Sequence, residues 1–288
     1  MVLGFFNVTG KFDSLGIKEH LKEKVMVQID SKKCVGCGLC AADCISLNIQ
    51  VEAGKANVQD ACFLCGHCVA ICPKNAVSIP EYDMEDVENY EEGKFTLEAD
   101  QFLRSIKFRR SIRDFKQQIV EQEVLERLLQ AGRYTATAKN SQNCCFVFVQ
   151  EKRDELKKDL WEFIDQRVQE QAGQMTQDLI PYAAFNERRK ADPQDDYLFR
   201  NAPVVLYITA EYAMDAGLAA QNIENMAVAM GMGALYNGYL ANITNQDQKV
   251  KEWLGIADKE IRACMLLGYP GRSYWRTAPR READVRWR

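Results

Sequence analysis

Eight of the eleven cysteines in this 288-residue chain fall into two runs with the same spacing. The pattern C-x2-C-x2-C-x3-C is formed first by Cys34, Cys37, Cys40 and Cys44, and again by Cys62, Cys65, Cys68 and Cys72. Closely spaced thiolates on a tightly turning chain can converge on one iron–sulfur cube, whose fourth ligand must come from elsewhere. The repeated pattern therefore predicts two [4Fe–4S] clusters.

Zinc and disulfide bonds are the alternative uses of such a cysteine set. Zinc closes a tetrahedral site with four ligands from two C-x2-C pairs, so each run would hold surplus cysteines. Disulfide bonds need an oxidising compartment, and the N-terminal sequence lacks the basic and apolar stretches of an export signal. Both alternatives are therefore less favoured than iron–sulfur clusters.

The stretch from about Met26 to Ile79 resembles a bacterial-type two-[4Fe–4S] ferredoxin domain, although Ile45 stands where many such domains carry a proline. In these domains the fourth cysteine of each run ligates the other cluster. The resemblance therefore implies a crossed pairing: one cluster on Cys34, Cys37, Cys40 and Cys72, the other on Cys62, Cys65, Cys68 and Cys44.

A second group of candidate functional residues is the basic segment Arg109-Arg110-Ser111-Ile112-Arg113. Guanidinium forks match phosphate oxygens and a serine hydroxyl can donate one more bond, so the segment is suited to binding phosphate. A basic surface turn is the alternative. The segment 137–143 adds amide and hydroxyl side chains directly before an apolar stretch, a placement suited to the polar edge of a flat ring.

Further motifs follow in order at 215–222, 231–238, 267–270 and 278–280. With these motifs, residues from about 101 to 288 are similar to the nitroreductase family of FMN-dependent oxidoreductases. The whole protein resembles the ferredoxin-fused members of that family. In the family the FMN lies between two subunits of a homodimer, so the resemblance also implies a homodimer.

The resemblance implies a set of FMN-binding residues. The phosphate and ribityl chain would be held by the basic segment, namely Arg109, Arg110, Ser111 and Arg113, and by Arg280 from the C-terminal tail. Arg276 and Arg281 compete with Arg280 for this role. The ribityl chain or pyrimidine edge would be bonded by Thr137, Asn140 and Gln142, and the flavin N5 would be approached by the backbone of Asn237 and Gly238.

Two departures from the family pattern concern the wall of the flavin site. Ala136-Thr137 stands where the family often has Pro-Ser, and Asn143-Cys144 stands where it often has Pro-Trp. The hydroxyl is kept at Thr137, so FMN binding is still expected. The altered wall leaves the substrate open.

The chain divides into four predicted parts: an N-terminal extension at 1–25, a two-[4Fe–4S] domain at 26–80, an acidic linker at 81–100 and an FMN domain at 101–288. The linker contains nine Asp and Glu residues but one lysine, and a docking surface for a basic partner is the alternative. The predicted fold class is α+β, with a ferredoxin-like domain followed by a nitroreductase-like mixed sheet flanked by helices.

Hydrophobic periodicity predicts the main elements of the FMN domain. Helices are expected at 102–108, 124–134, 154–172 and 215–230, and strands at 144–149, 204–209 and 261–269. Short strands at 25–31 and 76–80 should flank the cluster loops. Cys144, Cys145 and Cys264 lie in apolar stretches and are expected to be buried.

Composition limits the remaining function classes. A net charge of −4 gives no reason to expect a nucleic-acid partner, and no apolar run is long enough for a membrane span. The cytoplasm is therefore the expected location. Histidine acid–base catalysis is not expected in the FMN domain, because both histidines, His20 and His67, lie outside it. No catalytic side chain is predicted, since the flavin carries the chemistry.

Two functions remain. The favoured one is an enzyme whose clusters pass electrons to FMN for reduction of a small acceptor such as a nitroaromatic or a quinone. The alternative is an electron-transfer module between protein partners, with FMN as a gate and no small substrate. A ferredoxin or NAD(P)H is the expected donor, and passage of electrons within one chain or across the dimer stays open.

Overall fold

The computed structural model describes residues 27–59, 62–94 and 97–288. The chain forms two compact units that divide between Glu92 and Gly93, inside the segment predicted as an acidic linker. The predicted extension at 1–25, with His20, lies outside the described residues.

The described residues of the first unit form two short α-helices, two pairs of strands and one 3-10 turn at Met84–Asp86. Its elements are β1 (Gln28–Ile29), α1 (Leu39–Ala42), β2 (Ile49–Glu52), β3 (Lys55–Val58), α2 (His67–Ala70) and β4 (Val77–Ser78). Strand β1 pairs with β4, and β2 pairs with β3, both antiparallel. The strands thus bring the beginning and the end of the cysteine region side by side.

The two halves of this unit repeat the same local geometry. Gly38 precedes α1 with φ 77° and ψ −3°, and Gly66 precedes α2 with φ 76° and ψ −3°. Glycine adopts this left-handed conformation without a steric penalty. Close approach also matters at Gly36, where an added Cβ would lie 2.2 Å from the carbonyl oxygen of Gly54.

The second unit alternates helices with a four-stranded sheet. Its elements are α3 (Ala99–Phe108), α4 (Gln122–Arg133), β5 (Cys145–Val149), α5 (Arg153–Glu170), α6 (Ile180–Ala191), β6 (Val204–Thr209), α7 (Ala213–Ala229), β7 (Gly233–Tyr236), α8 (Gly238–Gln246), α9 (Gln248–Trp253) and β8 (Ile261–Gly268). The predicted α+β class is confirmed. Within the described ranges, none of the helices combines the length and apolar character needed to cross a membrane.

The sheet has the strand order β5-β6-β8-β7, with antiparallel pairing between all neighbours. A parallel contribution comes from an isolated bridge between Ser111 and Ala234 at β7. Strand β6 is buried at every position and supplies both faces of the core. Val204, Leu206 and Ile208 pack with α4 and α7 residues, whereas Val205 and Tyr207 pack with residues of α5, α6 and α8.

The strand predicted at 144–149 is β5, but it is not fully buried. It lies at the edge of the sheet, and most of its residues are partly exposed. Cys264 on β8 is buried as expected, whereas Cys144 and Cys145 are partly exposed. The prediction of burial was therefore wrong for those two cysteines, because an edge strand has one neighbour fewer.

Candidate functional site

The eight cysteines of the two runs gather around two cavities in the first unit. A cavity of about 370 Å³ is lined by Cys34, Cys37, Cys40 and Cys72. A second, of about 400 Å³, is lined by Cys44, Cys62, Cys65 and Cys68. Each cavity thus takes three cysteines from one run and the fourth from the other.

The thiols surround these cavities rather than a single point. Within the described ranges, no three His, Cys, Asp or Glu side chains are arranged to hold one metal ion. Four thiols around one cavity match the ligand set of an iron–sulfur cube, which takes one thiolate at each iron.

Backbone N–H groups donate to the sulfur atoms of both cavities. Around the first, Ala56 N lies 3.5 Å from Cys34 Sγ and Ala76 N lies 3.3 Å from Cys72 Sγ. Around the second, the N–H groups of Asn48 and Leu64 donate to Cys44 and Cys62 at 3.4 and 3.3 Å. Such donors stabilise negative charge on ligating sulfur.

Burial and hydrogen bonding act in opposite directions on these thiols. The backbone N–H groups of Ala56 and Gly36 lower the pKa of Cys34. Burial raises the pKa of Cys68 to about 11. A metal binds the thiolate form, so cluster binding must displace the proton of Cys68.

Lysines lie around one cavity only, among the described residues. Lys55 donates from Nζ to the carbonyl oxygen of Cys34 at 2.5 Å, and Lys74 lines the first cavity. Lys32 and Lys33 directly precede Cys34 in the chain. The second cavity is lined instead by apolar residues, small polar residues and His67, with no lysine among its described neighbours. The two cavities therefore have different electrostatic surroundings.

In the second unit, the basic segment 109–113 is held against strand β7. Ser111 forms the bridge to Ala234, and the N–H of Ile112 donates to the carbonyl oxygen of Ala234 at 3.0 Å. Gly233 makes this approach possible, because an added Cβ would lie 2.3 Å from Cγ1 of Ile112. The segment is thereby positioned along the strand that leads to Asn237.

A cavity enclosing about 910 Å³ lies at the end of β7. Its lining residues are Arg113, Tyr197, Arg200, Leu235, Tyr236, Asn237, Gly238, Tyr239 and Asn242. The structure thus brings together three residues of the predicted FMN set, Arg113, Asn237 and Gly238. No Asp or Glu of the described chain lines this cavity, so its charge is positive.

Asn237 and Gly238 form the first turn of α8 at the wall of this cavity. The side chain of Asn237 accepts from the N–H of Leu240 at 2.9 Å and donates to the carbonyl oxygen of Leu198 at 2.7 Å. These bonds fix the turn. At Gly238 an added Cβ would meet no atom within 4 Å, so the backbone borders open space. The first backbone N–H groups of a helix have no partner within the helix and can bond a ligand.

Arg109 and Arg110 do not line the cavity. Arg109 forms an ion pair of 3.2 Å with Glu224, a buried residue of α7. Arg110 donates to the carbonyl oxygens of Lys107 and Arg109, and its Nη2 is buried with no hydrogen-bond partner. Burial raises the pKa of Tyr236, and the negative charge of Glu224 raises it further. The phenol of Tyr236 therefore stays protonated.

The remaining predicted FMN residues lie elsewhere in the described chain. Thr137 accepts from the N–H of Gln142 at 2.9 Å, and Asn140 and Gln142 have left-handed backbones with φ 53° and 47°. None of these three lines the Arg113 cavity. Arg280 is exposed and donates to the carbonyl oxygen of Pro279.

Tyr197, Arg200 and Asn242 are among the cavity residues that were not predicted from the sequence. Tyr197 and Arg200 come from the loop between α6 and β6, and Asn242 comes from α8. No motif spacing connects them with Arg113. A lone arginine before a buried strand was the only local signal.

Comparison with known proteins finds matches for both parts of the chain. Residues 106–269 match the profile described as the nitroreductase family, and residues 26–73 match that of the 4Fe-4S dicluster domain. Two solved structures share the fold of the second unit, each with a TM-score of 0.50. One is an FMN-dependent nitroreductase from Clostridium difficile, 18% identical, covering 66% of this chain and 100% of its own. The other is a nitroreductase with bound FMN from Desulfitobacterium hafniense, 21% identical, covering 65% and 98%.

Curated relatives match over shorter parts. An NADPH-dependent oxidoreductase of Staphylococcus saprophyticus is 28% identical over 169 residues, which are 57% of this chain and 63% of the relative. A component of an ion-translocating oxidoreductase complex of Methanosarcina acetivorans is 35% identical over 63 residues, which are 22% of this chain and 24% of the relative. The chain thus spans less than two thirds of the length of these relatives.

The nitroreductase match covers more than half of the chain, and its boundaries enclose the basic segment, the sheet and the arginine-lined cavity. The resemblance seen in the sequence is thereby confirmed for both parts. This chain belongs to the nitroreductase family and carries a 4Fe-4S dicluster domain ahead of its nitroreductase domain.

Proposed function

We propose that the protein receives electrons on two [4Fe–4S] clusters, binds FMN in the Arg113 cavity and uses the flavin to reduce a small acceptor such as a nitroaromatic or a quinone. A flavin can take up single electrons and donate a hydride. The observation that carries the proposal is the grouping of eight thiols around two cavities in the same chain as a nitroreductase domain.

The cysteines fit the clusters in number and in chemistry. Cys34, Cys37, Cys40 and Cys72 would hold one cluster, and Cys62, Cys65, Cys68 and Cys44 the other. The N–H groups directed at four of these sulfur atoms would stabilise the negative charge of the ligated state. Zinc in place of iron is the result that would contradict this part.

The residues around the Arg113 cavity fit FMN. Arg113 offers an unpaired guanidinium, and the buried Nη2 of Arg110 has no partner within the described structure. Ser111 lies between them, and Arg109 would bind the phosphate while paired with Glu224. The open backbone at Gly238 leaves room for the flat ring beside it. Arg280 would reach the phosphate from the tail.

A homodimer would account for the residues that lie outside the cavity. FMN between two subunits can take Arg113, Asn237 and Gly238 from one subunit, and Thr137, Asn140 and Gln142 from a second copy. The left-handed backbones of Asn140 and Gln142 support a functional role for that segment, because such strain is concentrated at binding sites.

Cofactor analysis of protein purified without oxygen tests the proposal. We expect FMN rather than FAD on denaturation, and about eight irons and eight acid-labile sulfides per chain, as two cubes require. Arg113→Ala should weaken FMN binding by roughly 1.5–3 kcal/mol, the range for a hydrogen bond to a charged group. Arg104→Ala, an exposed change on α3, is the matched control. Equal FMN affinity in both variants would remove Arg113 from the site.

An electron-transfer module is the second candidate function. Its support is the similarity to a thiosulfate reductase electron transfer subunit of Salmonella typhi, 26% identical over 78 residues, together with the acidic segment 81–100. Steady-state reduction of a nitroaromatic or a quinone separates the two functions. An enzyme should be saturated by its acceptor, whereas a pure carrier should show a rate that rises linearly with acceptor concentration.

A further inference from the structure

The Arg113 cavity contains a second guanidinium, that of Arg200, which is held on an aromatic stack. The guanidinium carbon of Arg200 lies 3.7 Å from the ring centre of Tyr197. Tyr197 stacks on Phe185 with ring centres 4.7 Å apart and an angle of 30° between planes. Phe185 also meets the edge of Tyr239 at 5.1 Å. Arg200 is thus positioned by packing, because a cation over an aromatic face is stabilised by the ring electrons.

The loop that presents Arg200 is strained and firmly braced. Arg200 and Asn201 have left-handed backbones, with φ 54° and 51°. The buried carboxylate of Asp196 accepts from the N–H groups of Phe199 and Asn201 at 3.1 Å each. It also pairs with Nζ of Lys157 at 2.7 Å. Arginine, unlike glycine or asparagine, keeps such a conformation only where the surroundings impose it, and such sites are concentrated where ligands bind.

The positive charge of Arg200 is not neutralised within the chain. In the part of the chain that the structure describes, neither Arg113 nor Arg200 forms an ion pair, and no carboxylate lines their cavity. The adjacent Arg188 provides a contrast, since it also lies over Tyr197 but pairs with Asp195 at 2.8 Å. Tyr236 adds no negative charge, because burial raises the pKa of its phenol.

The two guanidiniums belong to different parts of the chain. Arg113 is part of the basic segment proposed to hold FMN, whereas Arg200 comes from the braced loop before β6. Around Arg200 the cavity offers the rings of Tyr197, Tyr236 and Tyr239, and the amide of Asn242. Aromatic walls with one unpaired guanidinium are suited to a flat ligand that carries a carboxylate, since a guanidinium binds a carboxylate through two parallel bonds.

We propose that Arg200 binds the carboxylate of an aromatic acceptor and makes the enzyme selective for anionic aromatic substrates. This assignment rests on the proposed function, because the acceptor must reach FMN in the same cavity. Arg200 is then a substrate-binding residue, while Arg113 remains with the cofactor.

The first test is equilibrium binding of benzoate and benzyl alcohol to the full-length, FMN-loaded protein by calorimetry. We expect benzoate to bind more tightly than benzyl alcohol. Arg200→Gln should weaken benzoate binding by about 10- to 100-fold, the loss of a charge-assisted bond, and leave benzyl alcohol nearly unchanged. Arg200→Lys keeps the charge and should keep part of the preference. Arg188→Gln removes the neighbouring guanidinium and should leave the preference intact.

Turnover provides a second test with 4-nitrobenzoate and 4-nitrobenzyl alcohol, using reduced viologen as the donor and subtracting the uncatalysed rate. Arg200→Gln should raise KM for 4-nitrobenzoate and leave KM for 4-nitrobenzyl alcohol unchanged.

Equal binding of benzoate and benzyl alcohol to the unaltered protein would overturn the assignment, and this measurement needs no variant. Loss of FMN from Arg200→Gln with the benzoate preference retained would assign Arg200 to the cofactor and overturn it as well. If Arg200→Gln slowed only the reduction of the protein by NADPH, Arg200 would bind the electron donor. That result would overturn the assignment as well. Absence of FMN from the unaltered protein would contradict the proposed function itself, and this assignment with it.

Discussion

At the scale of single residues, each group of four thiols depends on two things. One is the spacing of the cysteines within a run, and the other is the exchange of the fourth cysteine between the two runs. Three thiols of each run line one cavity, but the fourth thiol, Cys44 or Cys72, lines the cavity of the other run. Pairing between β1 and β4 brings the start of the first run beside the end of the second run. Each proposed cluster would therefore take ligands from both halves of the domain.

Single cysteine variants test this crossing. Cys72→Ser should remove the same electron paramagnetic resonance signal as Cys40→Ser, because both residues line the first cavity. Cys44→Ser should remove the same signal as Cys68→Ser. Iron content per chain, measured alongside, controls for loss of the whole domain. If Cys72→Ser instead resembles Cys68→Ser, each run holds its own cluster.

The lysines near the first cavity predict unequal reduction potentials. Positive charge stabilises the reduced, more negative state of a cluster and raises its potential. Changing Lys55 and Lys74 to Gln should lower the potential of the cluster on Cys34 by on the order of tens of millivolts, the Coulomb effect of solvent-screened charges nearby. The second cluster should change less.

A redox titration followed by electron paramagnetic resonance measures both potentials in one sample. Lys249→Gln, an exposed change in the other unit, is the control. Equal shifts in the reduction potentials of both clusters in the variant with Lys55 and Lys74 changed to Gln would show that these lysines do not act on the nearer cluster specifically.

At the scale of elements, the position of the segment proposed to bind flavin depends on one close approach to the sheet. Residues 111 and 112 are hydrogen-bonded to Ala234 of β7, and the strand can come this near because residue 233 is glycine. Arg113 is therefore positioned by packing of Ile112 as much as by its own bonds.

Gly233→Ala should displace this segment, since the new Cβ would lie 2.3 Å from Ile112 Cγ1. Overpacking of this kind costs about 1–3 kcal/mol, and we expect weaker FMN binding together with a lower unfolding midpoint. Gly173→Ala is the control, because its Cβ would meet no atom within 4 Å. FMN fluorescence gives the dissociation constant. Unchanged FMN affinity in Gly233→Ala would show that the segment does not hold the cofactor.

At the scale of the whole molecule, two compact units lie in one chain, one with two thiol-lined cavities and one with the arginine-lined cavity. The combination supports electron entry through the first unit. A purely structural role for the clusters would leave flavin reduction independent of them.

Anaerobic stopped-flow reduction by a low-potential ferredoxin tests this role. We compare the unaltered full-length protein with a full-length variant in which Cys40 and Cys68 are both Ser. We expect the variant to bind FMN but to be reduced far more slowly by ferredoxin. Dithionite, a small reductant that can reach the flavin directly, is the control and should reduce both proteins. Equal rates with ferredoxin would contradict electron entry through the clusters.

Features that depend on near neighbours in the chain could be predicted from the sequence. The cysteine spacing predicted the cluster domain, and apolar periodicity predicted α4, α5 and α7 to within a few residues. Strands β6 and β8 were also predicted, because continuous apolar runs mark strands buried on both faces. Helices α6, α8 and α9 were missed; α6 begins with Ile180-Pro181, and apolar spacing is weak in its charged second half.

Features that depend on distant residues were decided by the tertiary structure. The sequence predicts Arg109 as a ligand of the FMN phosphate, and only the fold shows that its ion-pair partner is Glu224, 115 residues away. The partial exposure of Cys144 and Cys145 follows from the place of β5 at the sheet edge. Arg200 and Arg113 line one cavity because the loop before β6 and the basic segment beside β7 both border it, and no spacing in the chain records that arrangement. Local patterns in the sequence predict secondary-structure elements and candidate metal ligands. Packing between segments far apart in the sequence decides which residue pairs with a charged side chain.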